Sequence, residues 1–229
     1  MGNRHRASVV RYGLNVQRKL PHGYCDSFWF ASKQDMSLAL KQDFLIRKVI
    51  KDFVAKDEVL RYSVDRIEIS RSVGDTIFIK IFCCKPGRIV GTESSNVKLL
   101  EGIICKKLIK SELLLNPKIN VSVTESFKQD LNANLIAQKI VELMVSRGNY
   151  TQFIRRVLKY NAKLVNGIRI NLGGRLNGAT IARDEVHSVG SVRLSSFDRA
   201  IEQATLHANT VKGVCGVQVT IDWGVATHG

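Results

Sequence analysis

With 229 residues, 45% of them hydrophobic and 24% charged, the chain has room for one large domain or two ordinary ones and has a folded composition, not a disordered one. Lys and Arg number 35 against 20 Asp and Glu, and the resulting net charge of +15 and pI near 9.8 create a field that attracts polyanions, nucleic acid ahead of an anionic membrane. No apolar run is long enough to span a bilayer, and residues 1–21 lack the hydrophobic core of a secretory signal.

The chain opens on a basic arm and extension, residues 1–39, in which Arg4, Arg6, Arg11, Arg18 and Lys19 all precede the first acid, Asp26. The arm lacks the apolar stripe of a mitochondrial transit peptide, so an arm laid on RNA explains it better. From Leu40 to Phe53 the pattern is helical, with Leu40, Ile46, Ile50 and Phe53 inward and Lys41, Arg47, Lys48 and Lys51 outward. The period then changes to two. Ile67 and Ile69 mark one strand and Ile77, Ile79 and Ile81 a second, joined by a hairpin turn over Ser72–Asp75. Lys85-Pro86-Gly87 reads as a loop. A helix follows with Val97, Leu100, Ile104 and Leu108 on one side, then a strand on Ile119, Val121 and Val123, then a helix burying Leu135, Ile136, Ile140, Leu143 and Met144. This order makes residues 40–147 one α+β unit.

Gly148-Asn149 is the expected boundary, with a second unit over residues 148–229. Arg155, Arg156, Lys159 and Lys163 fall on a helix ended by Gly167, and Arg155, Lys159 and Lys163 share a face at four-residue spacing. Ile168, Ile170 and Leu172 predict a strand, followed by the glycine-rich stretch 173–178. Ser195 and Asp198 resemble a capping box opening a helix with Phe197, Ile201, Ala204 and Ala208 inward. Val217, Val219 and Ile221 form the last strand.

The first unit has the element order of a type II KH domain, an RNA-binding fold that grips a single strand with a G-x-x-G loop. Here the loop reads Gly91-Thr92-Glu93-Ser94; the second glycine is missing and Glu93 sets a negative charge where phosphate would sit, so the RNA clamp is expected to be degenerate. Further matches run along the chain in order. They are Lys85-Pro-Gly-Arg-Ile-Val-Gly91, Leu131-Asn-Ala-Asn-Leu-Ile-Ala137, Gly174-Arg-Leu-Asn-Gly-Ala-Thr-Ile-Ala-Arg183 and Gly213-Val-Cys-Gly-Val-Gln-Val219. Gly2, Arg11 and Gly13, and Trp29 with Ile46-Arg47, add to them. Together they resemble the family of small-subunit ribosomal protein three, of bacterial or organellar type.

That resemblance implies an α+β protein, a type II KH domain followed by a C-terminal α/β ribosomal domain. It also implies a seat on ribosomal RNA in the head of the small subunit, beside neighbouring head proteins and the mRNA entrance channel. In the family a basic cluster on the helix entering the second domain contacts messenger and helps open paired RNA. Arg155 and Arg156 match its later part if one residue is deleted nearby, while Thr151 and Gln152 stand where earlier arginines are expected. The missing glycine and arginines point to a divergent ribosome. They favour a mitochondrial matrix protein encoded in the organelle, with a bacterial cytoplasm or plastid left open.

The expected RNA-binding residues are therefore Arg4, Arg6, Arg11, Arg155, Arg156, Lys159, Lys163, Arg175 and Arg183. For Arg175 and Arg183 the structural alternative is an ion pair with Asp184 or Glu185. Core packing is expected for Trp29 and Phe30, while base stacking by Tyr12 or Tyr150 stays open. Lys106, Lys107 and Lys110 read as a solvated helix face. The five cysteines (Cys25, Cys83, Cys84, Cys105, Cys215) form no C-x-x-C pair and suit unlinked, mostly buried thiols in a reducing compartment. Five scattered histidines without metal-ligand spacing, and a glycine loop without the Lys-Ser/Thr of a P-loop, argue against an enzyme, a metal or a cofactor. Two other classes stay open: a free-standing KH-type RNA regulator or processing factor, and an RNA-acting enzyme such as a nuclease.

Overall fold

The computed structural model describes residues 10–11, 26–56, 63–72, 76–91, 94–111, 118–126 and 131–225. They form a mixed α and β chain in two compact units.

The first unit, Cys25–Ser126, runs β1 (Ser27–Phe28), α1 (Met36–Val54), β2 (Val64–Arg71), β3 (Thr76–Cys83), α2 (Pro86–Val90), α3 (Ser95–Lys110) and β4 (Lys118–Glu125). The sheet order is β1-β2-β3-β4, with β2 and β3 antiparallel and β3 and β4 parallel. From α1 to β4 this is the predicted order, with α2 added where a loop was expected because Pro86 opens a helical turn. Ile77, Ile79 and Ile81 of β3 are buried on one face and meet Ile46, Val49 and Ile50 of α1 and Leu100, Ile104 and Leu108 of α3. Each such side chain contributes about 1.5–3 kcal/mol on leaving water. The β2–β3 pairing is antiparallel as expected, while turn residues 73–75 lie outside the described residues.

Two expectations about this core need correction. The buried stripe of α1 is Ala39, Gln42, Asp43, Ile46, Val49, Ile50 and Val54, and Leu40 is exposed. Two of those positions are polar, so a search for apolar periodicity passes over them. Asp43 is tolerated inside because three donors reach it: Arg71 Nη2 at 2.7 Å, Trp29 Nε1 at 2.8 Å and Ser27 Oγ at 2.9 Å. Trp29 is thus held by its N–H, with the Arg71 guanidinium 5.3 Å from its ring centre. Phe30, expected in the core, is 95% exposed.

The second unit comprises α4 (Ala133–Val145), α5 (Tyr150–Asn161), β5 (Gly167–Gly174), β6 (Arg183–Gly190), β7 (Arg199–Thr210) and β8 (Gly213–Val225), and it takes in Arg11. Its antiparallel sheet has the order β6-β5-β8-β7. Ile168, Ile170, Leu172, Val217, Val219 and Ile221 are all buried. The expected boundary at 147/148 is displaced. Helix α4, predicted to close the first unit, packs on β7 and β8, and Ala133 N–H donates to Glu202 at 2.9 Å. Residues 26–39, predicted as arm and extension, belong to the first unit, where β1 pairs with β2.

The helix predicted after Ser195 is strand β7, paired with β8 along its length. Its alanines and its capping-like start suit a helix locally, and the long antiparallel partner overrides that preference. Strand β6 escaped prediction. Helix α5 ends at Asn161, so Gly167 opens β5 instead of closing the helix.

Candidate nucleic-acid interface

Helix α5 is the sharpest amphipathic element of the second unit. Asn149 caps it, its side chain accepting from Gln152 N–H at 3.1 Å. Tyr150, Ile154, Val157, Leu158 and Asn161 are buried, whereas Arg155, Arg156 and Lys159 are exposed. None of these three cations makes an ion pair with a described residue. Lys163 is also exposed, but it follows the helix end and does not continue the face shared by Arg155 and Lys159. Unpaired guanidinium and ammonium groups on a rigid helix need no rearrangement to meet phosphates.

The other predicted residues are placed differently. Arg11 is buried, 3% exposed. It donates to the carbonyls of Leu194 at 2.7 Å and Ser196 at 2.6 Å and lies 5.4 Å from the Phe197 ring centre. Desolvation lowers its pKa from the ordinary arginine value, partly offset by Asp222 and Asp198. Arg11 therefore braces the 194–197 loop, and its guanidinium is spent there instead of on RNA. Arg183 pairs with Glu185 at 2.9 Å, the structural alternative weighed for it, because alternate residues of β6 share a face. Arg175 donates from Nε to Ala179 O at 2.7 Å and from Nη1 to Lys212 O at 3.3 Å, so it staples the turn it flanks.

Both predicted glycine turns adopt left-handed backbone. At the KH-like loop, Gly91 has φ 72° and Ser94, the N-cap of α3, has φ 61° and ψ 23°. Serine at 94 thus occupies a left-handed conformation for which glycine is the natural residue. Thr92 and Glu93 lie outside the described residues, as do Arg4, Arg6 and Tyr12. In the other turn Gly174 has φ 132°, and an added Cβ would come within 3.1 Å of Cys215 and of Val214 O. That glycine serves strand packing. Tyr150 is buried, which removes base stacking as its role.

Asp222 was missed by sequence reasoning. It is fully buried in β8, accepts from Arg199 Nη1 at 2.9 Å and from Gly224 N–H at 2.8 Å, and organises the strand ends beside Arg11. Only its place in an otherwise apolar alternation, Val217-x-Val219-x-Ile221-Asp222, hints at a special position. Among the described cysteines, Cys83 and Cys215 are buried and all four are unlinked; burial pushes the Cys83 thiol up to about 11.

Comparison with known proteins places these features in a family. Residues 136–221 match the sequence profile of ribosomal protein S3, C-terminal domain. The protein named small ribosomal subunit protein uS3 from Rhodopirellula baltica is 32% identical over 199 residues, covering 86% of this chain and 81% of its own. Its namesake from Ehrlichia ruminantium strain Gardel is 32% identical over 87% of this chain and 88% of its own length. The one from Metamycoplasma arthritidis is 32% identical over 98% and 85%.

Proposed function

Because the chain belongs to the small ribosomal subunit protein uS3 family, we propose that it is a structural, non-catalytic constituent of that subunit, bound to its ribosomal RNA. Phosphate contacts supply most of the affinity, as the net charge of +15 requires. The outward cations of α5 carry the finer reading. Arg155, Arg156 and Lys159 stand exposed and unpaired by any described acid on a helix locked by its buried side. We assign this face to the mRNA entrance channel, beside neighbouring head proteins, and Lys163 to its margin. Arg4 and Arg6 of the arm add phosphate contacts, while Arg11, Arg175 and Arg183 chiefly hold the fold. Ribosomes are the location the relatives support, and a bacterial cytoplasm agrees with them; none of those reported supports the mitochondrial matrix expected from the sequence.

Sedimentation of the native protein in a magnesium-containing gradient tests the reading. Comigration with the small subunit that resists a high-salt wash is expected. Slow migration, free of subunits, would instead favour the free-standing RNA regulator.

A further inference from the structure

The face of α5 does not account for a second basic feature of the same unit. A cleft of about 460 Å³ opens where the end of α4, the start of α5, the 175–178 turn and the β7–β8 hairpin meet. Of its twelve lining residues three are basic (Arg147, Arg175 and Lys212) and none is acidic. Arg147 and Lys212 are exposed, and their side chains make no hydrogen bond or ion pair with a described residue. Arg175 spends Nε and Nη1 on the carbonyls of Ala179 and Lys212, so its guanidinium is fixed while Nη2 has no partner among the described residues. Beneath these cations lie the buried side chains of Met144, Leu176 and Cys215. Arg147, just after α4, and Asn177 and Gly178, in the 175–178 turn, have left-handed backbone, with φ of 57°, 54° and 76°. The acid that acts on the nearby Tyr150 is Glu185, and it is already paired with Arg183 at 2.9 Å.

Three cations with no acid among the lining residues, over an apolar floor and in a space large enough for a nucleotide, favour an anionic ligand with an uncharged body. We propose that this cleft seats one nucleotide of an RNA strand, its phosphate held by Arg147, Lys212 and the free edge of Arg175. The proposal rests on the ribosomal reading above and adds to it a second RNA contact, made by the loops instead of the helix face. Arg175 works as a preorganised fork, because the two bonds that tie it to the turn also aim its remaining N–H groups.

The test uses the full chain and a fluorescein-labelled decauridylate, followed by anisotropy across a range of salt. Wild type is compared with Arg147→Gln/Lys212→Gln and with Lys106→Gln/Lys110→Gln, which removes the same charge from the exposed face of α3. The cleft variant is expected to lose about tenfold in affinity near 0.1 M salt and up to about 0.7 from the salt slope, the amount for one lost single-strand phosphate contact. The α3 variant is expected to stay within about twofold of wild type. Equal losses in the two variants, or an unchanged cleft variant, would overturn the proposal. A competition arm with AMP separates the sources: AMP that displaces the labelled RNA only weakly supports a strand, whereas AMP binding sensitive to the cleft variant without any effect on RNA would overturn it. If wild type itself binds no RNA at any salt, the ribosomal reading fails first; if Arg155→Gln/Arg156→Gln weakens binding and the cleft variant does not, the cleft alone falls. An independent readout is acylation of Lys212 in native small subunits. Protection that disappears on nuclease digestion is expected, and equal modification before and after digestion would refute the seat.

Discussion

Several arginines of the two units meet different surroundings, although Arg88 of the first is also exposed. In the first, Arg47 is spent on the carbonyls of Ile67 and Asp26, each at 2.6 Å, Arg66 on Glu68 at 2.9 Å, and Arg71 on buried Asp43. In the second, Arg11 and Arg199 are spent around Asp222, but Arg155 and Arg156 face solvent with no described acid beside them. A guanidinium is available to RNA only where the fold leaves no carboxylate or orphan carbonyl within its reach. Residue type therefore says that a position is cationic, and tertiary surroundings decide whether the charge supports the fold or the ligand.

This contrast can be broken by removing the partners, and the largest effect is expected at Asp222. Asp222→Ala strands Arg199, 12% exposed, beside the buried Arg11, and should cost about 3–5 kcal/mol in urea denaturation of the full chain. Asp43→Ala should cost less, about 2–3 kcal/mol, because Arg71 is 20% exposed and keeps its bonds to Ala39 O and Gln42. A loss at Asp43 equal to that at Asp222 would show that exposure of the partner does not set the scale.

Reversing the solvent-facing pair should do the converse. Arg155→Glu/Arg156→Glu is expected to leave stability within about 0.5 kcal/mol, since neither side chain is buried or paired with a described residue. It should weaken RNA binding about tenfold near 0.1 M salt. Reconstituted ribosomes carrying it should unwind structured messenger less well, and unchanged unwinding would sink the entrance-channel role.

The smallest effect is expected at the KH-like turn. There Ser94 holds a left-handed conformation that costs a side chain about 1–2 kcal/mol, and the sequence sets Glu93 beside it. Glu93→Lys/Ser94→Gly in the full chain should raise affinity for single-stranded RNA by about threefold. Unchanged affinity would mean that this turn serves the fold alone.

Much of this was legible in the residues because it is periodic. Alternation at Ile77-x-Ile79-x-Ile81 and at Ile168-x-Ile170-x-Leu172 marks a half-buried strand wherever it occurs, and the four-residue spacing of Leu100, Ile104 and Leu108 marks a helix face. The cationic outer side of α5 was visible in the same way. Strand β7 was not, since Ala200, Ala204 and Ala208 carry a helical preference that only pairing with β8 reverses. The buried polar positions were hidden too, because Asp43 and Asp222 read as surface residues until their donors, from distant parts of the chain, are brought against them.

Composition and periodicity by themselves determined a basic chain of mixed α and β structure and most of its strands and helices, while short motifs along the chain carried the resemblance to its family. These properties are local or summed over the chain and need no partner to be read. Tertiary structure alone decided that α4 belongs with the second sheet, that Arg11 and Arg175 brace loops, and that Arg147, Arg175 and Lys212 share one cleft. Each of those facts depends on which surfaces meet across long sequence separations, where burial and hydrogen-bond partners are set by packing and not by neighbouring residues.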